Sequence, residues 1–322
     1  MKEAAFVKHN KTRWEEFEKT VKDQQQASPD RLAELFIQVT DDLSFSRTKY
    51  PQSRTTHYLN ALASKVHLQI YKNKREDKNR FITFWQYEVP EAMYEARASL
   101  LYAFIIFLIA GTMGAVSTYY DDTFVRLILG DGYVNMTLEN IKNGTPTGVY
   151  ANMGEMTMFF YITWNNVMVA FRVFAFGVFA SLGTGFYLFY NALMVGTFMM
   201  FFYEQNQLAE ALPVIMLHGT IELSSIVIAA AAGFTMGNSL IFPGTYSRLT
   251  SFKKGAGKGL KIVVGLVPFF IVAGFIESFV TRYAFMHWGM KAMIIGFSAV
   301  IMIYYFVVYP HRLKRNGKFQ AH

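Results

Sequence analysis

The chain has 322 residues, of which 52% are hydrophobic and 17% aromatic, and its formal net charge at pH 7 is +8. Because the apolar residues are gathered into long blocks, the composition indicates a polytopic membrane protein with a soluble segment and argues against a purely soluble one. The absence of cysteine excludes disulfides, cysteine-ligated metals and a cysteine nucleophile. The basic residues flank the apolar blocks. This distribution is typical of the positive-inside rule and of contact with anionic lipid headgroups, so we predict no nucleic-acid binding.

The first 80 residues carry three amphipathic helical patterns. Apolar residues recur at helical spacing over 6–21, and Ser28 followed by Pro29 is typical of the start of a second helix that should run to about Tyr50. A third pattern covers 58–71 before a charged run. We predict a cytoplasmic amphipathic helical domain over 1–80.

Residues 81–98 are predicted to form an interfacial helix and linker. The aromatic residues Phe81, Phe84, Trp85 and Tyr87 follow the basic run directly, a composition typical of a helix in the headgroup layer. Pro90 then restarts the helix.

Six apolar segments within 99–309 are each long enough to cross a hydrocarbon core of roughly 30 Å. The acidic segment 121–156 is predicted to be an outer loop, while a basic loop at 247–261 and the basic tail 310–322 fall on the opposite side, so both termini should be cytoplasmic. The predicted fold is all-α, a six-span membrane bundle with an N-terminal cytoplasmic helical domain. The predicted spans are 99–120, 157–180, 184–203, 212–236, 260–281 and 292–309.

The predicted spans contain several polar residues, and charge inside a bilayer marks a candidate functional site. His218 and Glu222 lie four positions apart and therefore on one helical face. Depth along the helices predicts that Arg172 pairs with Glu222 or Glu277 and that His218 approaches one of those carboxylates. The predicted intramembrane polar cluster comprises Asn165, Asn166, Arg172, Asn191, His218, Glu222 and Glu277.

Small residues form a second pattern in the predicted spans. They let helices approach closely, which serves either packing within one chain or a homo-oligomer. The predicted helix-packing residues are Gly177, Gly196, Gly219, Ser225, Ala229 and Gly233.

These residues resemble the stage II sporulation protein M family of bacterial and archaeal membrane proteins. In the N-terminal part the similar stretches are 2–7 with Trp14, 42–51 and 58–71. Ala192 departs from the family pattern, which commonly has glycine there. The similar positions in the membrane half are Asn165–Asn166, Phe176–Gly177, Gly183, Asn191, Gly196, His218–Gly219, Glu222–Leu223, Gly233 and Ile276–Glu277.

The resemblance implies a multi-pass protein of the bacterial cytoplasmic (inner) membrane. In spore formers, family members work with cell-wall hydrolases during engulfment, as membrane anchors or scaffolds, but most members are outside that pathway. The resemblance therefore implies a scaffold that organises protein partners in the membrane or envelope, and it does not settle a biochemical activity.

Two alternatives to a scaffold remain open from the residues themselves. One is a transporter or flippase that uses Arg172, Glu222, Glu277 and the titratable His218. The other is an intramembrane metal-dependent hydrolase, although the His-Glu-x-x-His motif is absent. We predict no catalytic residue, no cofactor and no metal, and we leave enzyme activity open. The predicted partners are the lipid bilayer and membrane or envelope proteins.

Overall fold

The computed structural model describes residues 2–22, 29–72, 80–144, 154–281 and 286–318, and these residues are helical without any strand. The chain divides into two units, Met1–Arg80 and Phe81–His322. The all-α prediction is therefore confirmed. Three predicted features lie wholly or partly outside the described residues: the cap residue Ser28, positions 145–153 of the outer loop and positions 319–322 of the tail.

The first unit consists of three helices, α1 (Glu3–Lys22), α2 (Pro29–Lys49) and α3 (Arg54–Lys72). Helix α2 begins at Pro29, because proline has no amide hydrogen to lose in a first turn. The three helices bury one apolar core between them. Its members are Phe6, Trp14, Phe17, Val21, Leu35, Val39, Leu43, Leu59, Leu62 and Ala63.

Asp42 joins α1 to α2 at the edge of this core. Its Oδ2 atom accepts hydrogen bonds from Arg13 Nη2 at 2.6 Å and from Trp14 Nε1 at 2.8 Å. The hydroxyls of Ser46 and Thr56 lie 2.6 Å apart and connect α2 to α3. The polar contacts therefore fix the same three-helix arrangement that the apolar core favours.

The second unit begins with a short helical segment. Helix α4 (Arg80–Thr83) passes through a π-helical turn (Phe84–Glu88) into α5 (Val89–Glu95). The backbone carbonyl of Trp85 accepts a hydrogen bond from Tyr305 Oη at 2.7 Å. This hydrogen bond holds the segment against the last of the long helices. Its position in the headgroup layer stays a prediction.

Six of the following helices are long and apolar enough to cross a membrane, as predicted. They are α6 (Arg97–Tyr120), α9 (Glu155–Ala175) with the 3₁₀ turn Phe176–Val178, α10 (Leu182–Glu204), α11 (Leu208–Ile241), α12 (Arg248–Phe275) with the π turn Ile276–Val280, and α13 (Trp288–Ile303), which continues through the π turn Tyr304–Val308 into α14 (Tyr309–Arg315). Two shorter helices, α7 (Phe124–Leu129) and α8 (Asp131–Lys142), lie between α6 and α9.

The structure differs from the sequence prediction in the connecting segments. The predicted basic loop at 247–261 is instead the start of α12, where the side chain of Ser247 accepts a hydrogen bond from the amide of Thr250 at 3.3 Å. A glycine-rich run is typical of a loop, but here Gly255 and Gly259 pack against neighbouring helices, and this packing outweighs the weak helix propensity of glycine. The described part of the outer loop likewise contains α7 and α8.

Asp121 ends α6 and organises the turn into α7. Its Oδ1 atom accepts hydrogen bonds from the hydroxyl of Thr123 at 2.6 Å and from the amide of Thr123 at 2.9 Å. Bonds to the charged form favour it, so they lower the pKa of the Asp121 carboxyl below its usual value.

Helix α11 is the most buried of the six long helices and packs against α6, α9, α10, α12 and α13. Residues 229–232 are four consecutive alanines with no exposed surface. On α10, a Cβ atom added at Gly196 would collide with the carbonyl oxygen of Gly111 on α6. The helices of this unit therefore approach one another through small residues, as is usual for membrane bundles.

Candidate functional site

Helix α11 carries His218 and Glu222 one turn apart, on the side of the helix that meets α9 and the end of α12. Around them the helix combines the buried apolar residues Leu217 and Ile221 with small hydroxyl residues such as Thr220, which donates to a carbonyl of its own helix. Polar side chains at this position have little access to water, so their partners must come from the protein or from a bound species.

The third member of the site is Glu277, which lies in the π-helical turn Ile276–Val280 at the end of α12. The Nε2 atom of His218 lies 3.9 Å from Glu277 Oε1, and the two side chains are 13% and 14% exposed. One nitrogen or oxygen atom from each of His218, Glu222 and Glu277 falls within 4.8 Å of the others. π turns are frequent at functional sites, and this one brings Glu277 into the cluster.

Two further side chains orient the cluster. Asn166, on α9, donates from Nδ2 to Glu222 Oε1 at 2.5 Å. Thr281, just after the π turn, donates from Oγ1 to the backbone carbonyl of Ile276 at 3.1 Å, and its oxygen lies 3.4 Å from His218 Nδ1. Because the only hydroxyl hydrogen of Thr281 goes to Ile276, the remaining role of this oxygen is to accept from His218.

Three buried hydroxyls on the same helical elements have no hydrogen-bond partner. Ser225 lies three residues after Glu222 on α11, Ser278 follows Glu277 in the π turn, and Thr163 lies three residues before Asn166 on α9. Buried hydroxyls are nearly always bonded in folded proteins. Each of the three therefore lies within three residues, along the chain, of a side chain of the cluster or of its partner Asn166.

Three predicted members, Asn165, Arg172 and Asn191, do not join the cluster, and the predicted ion pair of Arg172 is wrong. Both Arg172 and Asn165 are exposed on α9, and Arg172 makes no ion pair with Glu222 or Glu277, all three of which are described. The spacing of seven does place Asn165 and Arg172 on one face. That face is the outer one, because it is Asn166, roughly 100° further round the helix, that meets α11.

Asn191 also lies apart from the cluster. Its Nδ2 atom donates to the backbone carbonyl of Tyr187, one turn earlier on α10, at 2.8 Å. The amide of Asn191 is therefore satisfied within its own helix, and α10 packs mainly on α6 rather than on α11.

Most of the predicted packing residues lie at close helix contacts. A Cβ atom added at Gly177 would collide with the carbonyl oxygen of Gly233, and Ser225 and Ala229 are fully buried. Gly219 differs, because an added Cβ would meet only side chains of its own helix, at an ordinary 3.8 Å.

Sequence reasoning missed three residues of this region: Thr163, Ser278 and Thr281. Ser and Thr are common in membrane helices, where they usually bond to the carbonyl one turn earlier, so their presence alone gives no signal. The spacing of Thr281 four residues after Glu277 was a usable signal, since it places both near one face. The π turn that brings them to His218 has no comparable sequence pattern.

A family model described as Stage II sporulation protein M matches residues 103–282, which is more than half of the chain. The chain belongs to the stage II sporulation protein M family. The matched region runs from within α6 to residue 282, just past the π turn of α12, and contains His218, Glu222 and Glu277. The family resemblance expected from the sequence is confirmed, over residues 103–282; the similar stretches within 2–71 lie outside this match.

A second family model, described as Domain of unknown function (DUF8413), matches residues 4–72, which correspond to α1–α3. The search of curated proteins and the search of solved structures each gave no match.

Proposed function

We propose that this multi-pass membrane protein is a scaffold that organises partner proteins at the bacterial cytoplasmic membrane, with both termini in the cytoplasm. The six long apolar helices hold the chain in the bilayer. The N-terminal unit and the outer segment that includes α7 and α8 present surfaces to partners on either side.

The observation that carries this proposal is the separate core of the N-terminal unit. Its buried residues form a cluster of their own, distinct from the core of the membrane helices. A region with its own core and its own family match is an independent domain fused to a membrane anchor. Ile37, on α2, is 60% exposed and offers an apolar contact point on the surface of that domain.

The distribution of charge supports the orientation. The first half of α12 carries Arg248, Lys253, Lys254, Lys258 and Lys261, while the segment after α6 begins with Asp121 and Asp122. An excess of lysine and arginine favours the cytoplasmic side.

The orientation can be tested directly because the chain has no cysteine. Single-cysteine variants Asp122→Cys and Lys318→Cys would be treated with a membrane-impermeant maleimide on intact spheroplasts. We expect labelling of the first variant only. Labelling of the second in intact spheroplasts would contradict the proposed topology.

The scaffold role is tested by photo-crosslinking in cells, with a benzophenone amino acid at Ile37 and a matched control at Leu101, which is similarly exposed on the first span. We expect a discrete protein adduct at Ile37 and none at Leu101. If further exposed positions on α1–α3 also give no adduct, the scaffold proposal fails.

A second candidate function is transport, and the buried polar cluster is the observation that favours it. Ionisable groups inside a bundle mark ion and proton pathways. In proteoliposomes, a transporter would show ion or proton flux that Glu222→Gln abolishes and that Glu210→Gln, an exposed control at the start of α11, leaves intact. A scaffold shows no such flux.

A further inference from the structure

We propose that His218, Glu222 and Glu277 bind one divalent first-row transition-metal ion between α9, α11 and the end of α12. This site is independent of the proposed scaffold function, since either can hold without the other. It rests on four features of the described residues: the spacing of the donor atoms, the tautomer of His218, the charge of the cluster and the buried hydroxyls around it.

The spacing of the donor atoms suits a small ion. Metal–nitrogen and metal–oxygen bonds are roughly 2.0–2.2 Å long, so two ligands of one ion stand at most roughly 4.0–4.4 Å apart. His218 Nε2 and Glu277 Oε1, at 3.9 Å, lie within this limit. All three donors lie within 4.8 Å of one another, so a small side-chain movement brings the set to ligand spacing. The first distance is too long for a direct hydrogen bond but fits two ligands on opposite sides of an ion.

The Nε2 atom of His218 faces Glu277, and the contacts of Thr281 favour the tautomer of His218 that is protonated at Nδ1. Thr281 Oγ1 donates to the carbonyl of Ile276, so it accepts from His218 Nδ1–H. In a neutral imidazole this leaves the lone pair on Nε2, directed toward Glu277. Two electron-rich atoms facing each other need a proton or a metal ion between them, and 3.9 Å is too long for a hydrogen bond through a shared proton. Metal-bound histidines usually have their other ring nitrogen held in this way.

The charge of the cluster also calls for a cation. Glu222 and Glu277 carry two negative charges when ionised, and within the described part of the chain no lysine or arginine pairs with either. Asn166 supplies a hydrogen bond to Glu222 but no charge. A divalent ion would neutralise both carboxylates, whereas an unpaired charge in this position is costly.

The unpartnered hydroxyls provide an independent indication of an occupant. Ser225 and Ser278 have no exposed surface and no hydrogen-bond partner, and each shares an element with one of the carboxylates. On α11, Ser225 is seven residues after His218 and three after Glu222, which places all three on one stripe. Unpartnered buried hydroxyls this close in sequence to the three donors are consistent with a bound species that supplies their hydrogen bonds.

The donor set indicates the class of metal. One imidazole and two carboxylates suit Zn²⁺, Mn²⁺, Fe²⁺ or Co²⁺. Ca²⁺ and Mg²⁺ prefer oxygen ligands alone, and the chain has no cysteine to select a soft ion such as Cu⁺.

The test uses the full chain, purified in detergent, stripped with a chelator and equilibrated separately with Zn²⁺, Mn²⁺ and Co²⁺. Bound metal is measured by mass spectrometry after gel filtration, and bound Co²⁺ also by its visible absorption. We expect about one ion per chain, with affinity at least tenfold weaker in His218→Asn, Glu222→Gln and Glu277→Gln. The control Glu210→Gln changes the same charge on α11 and should bind as wild type does.

A further variant keeps the test decisive where removal of a ligand prevents folding. Thr281→Val retains all three ligands but removes the acceptor for His218 Nδ1, and we expect metal affinity to fall roughly tenfold. Failure of the wild-type chain to retain any of the three ions overturns the proposal. Unchanged metal binding in folded ligand variants overturns it as well.

Discussion

The two units of this protein have helical cores made from different residues. In the N-terminal unit the fully buried positions include the large side chains of Phe17, Leu35 and Leu59. In the membrane unit the centre of α11 is a run of four alanines at 229–232, and helices cross at glycines such as Gly196.

The difference follows from the two solvents. In water, burial of apolar surface stabilises a fold by about 25 cal/mol per Å², so three short helices need large side chains. In lipid, the bilayer solvates apolar side chains as well as the protein does, and helices associate through close backbone contact. We therefore expect loss of volume to damage the first unit and gain of volume to damage the second.

Phe17→Ala gives the largest expected effect. It empties the centre of the N-terminal core and should reduce the free energy of unfolding of this unit by about 3–5 kcal/mol. Hydrogen–deuterium exchange should rise in peptides from α1–α3 and stay unchanged in α11. Phe17→Leu is the milder control, and equal exchange in both variants would show that core volume does not govern this unit.

Gly196→Ala should destabilise the second unit for the opposite reason, a gain of volume, because it adds a single methyl group where α10 crosses α6. The added atom collides with the backbone of Gly111, and overpacking of this kind costs about 1–3 kcal/mol. The measurement is unfolding in mixed SDS micelles. Gly257→Ala, where an added Cβ meets nothing within 4 Å, is the matched control and should be neutral or stabilising. Equal behaviour of the two variants would refute close helix approach at Gly196.

Asp42→Ala tests a polar contact of the first unit. It removes the acceptor shared by Arg13 and Trp14, and the loss of hydrogen bonds to a charged group should cost about 1.5–3 kcal/mol. Denaturant unfolding followed by hydrogen exchange in α1 measures this. Glu15→Gln removes only an exposed contact with Lys11 and should change stability by less than about 0.5 kcal/mol.

Lys261→Ala should have the smallest effect of the series. Lys261 Nζ lies 2.8 Å from Glu88 Oε2 on the surface of the second unit, and both side chains are partly exposed. Such pairs contribute roughly 0.2–1 kcal/mol, and salt screens them. Unfolding in SDS at low and high salt should show a difference from wild type at low salt only.

The sequence predicted the helices of both units well because their periodicity and length are strong signals. The three N-terminal helices and the six long helices all occur where apolar patterns indicate them. The start of α12 was wrongly predicted to be a loop because glycine has two roles. Its backbone flexibility favours loops, while its small size favours close packing of helices. Which of the two applies depends on whether another helix packs against the glycine, and a single sequence does not show this.

The candidate site was partly predictable. His218, Glu222 and Glu277 are identified by the sequence because charge within an apolar span is rare, and Asn166 because it is a polar residue within a predicted span. Arg172 was assigned to the wrong face, since a single sequence shows which residues share a face but not which side of the helix faces the bundle.

The π turn at Ile276–Val280 makes this part of the molecule sensitive to chain length as well as to residue type. A π turn contains one more residue than the α-helical path it replaces. Deletion of a single codon within 276–280 would restore a regular helix, keep the flanking residues in register and shift the side chains inside the turn, Glu277 among them. Glu277 would then move relative to His218 without any substitution, so insertion and deletion, as well as point mutation, are changes by which this region could be gained or lost between relatives.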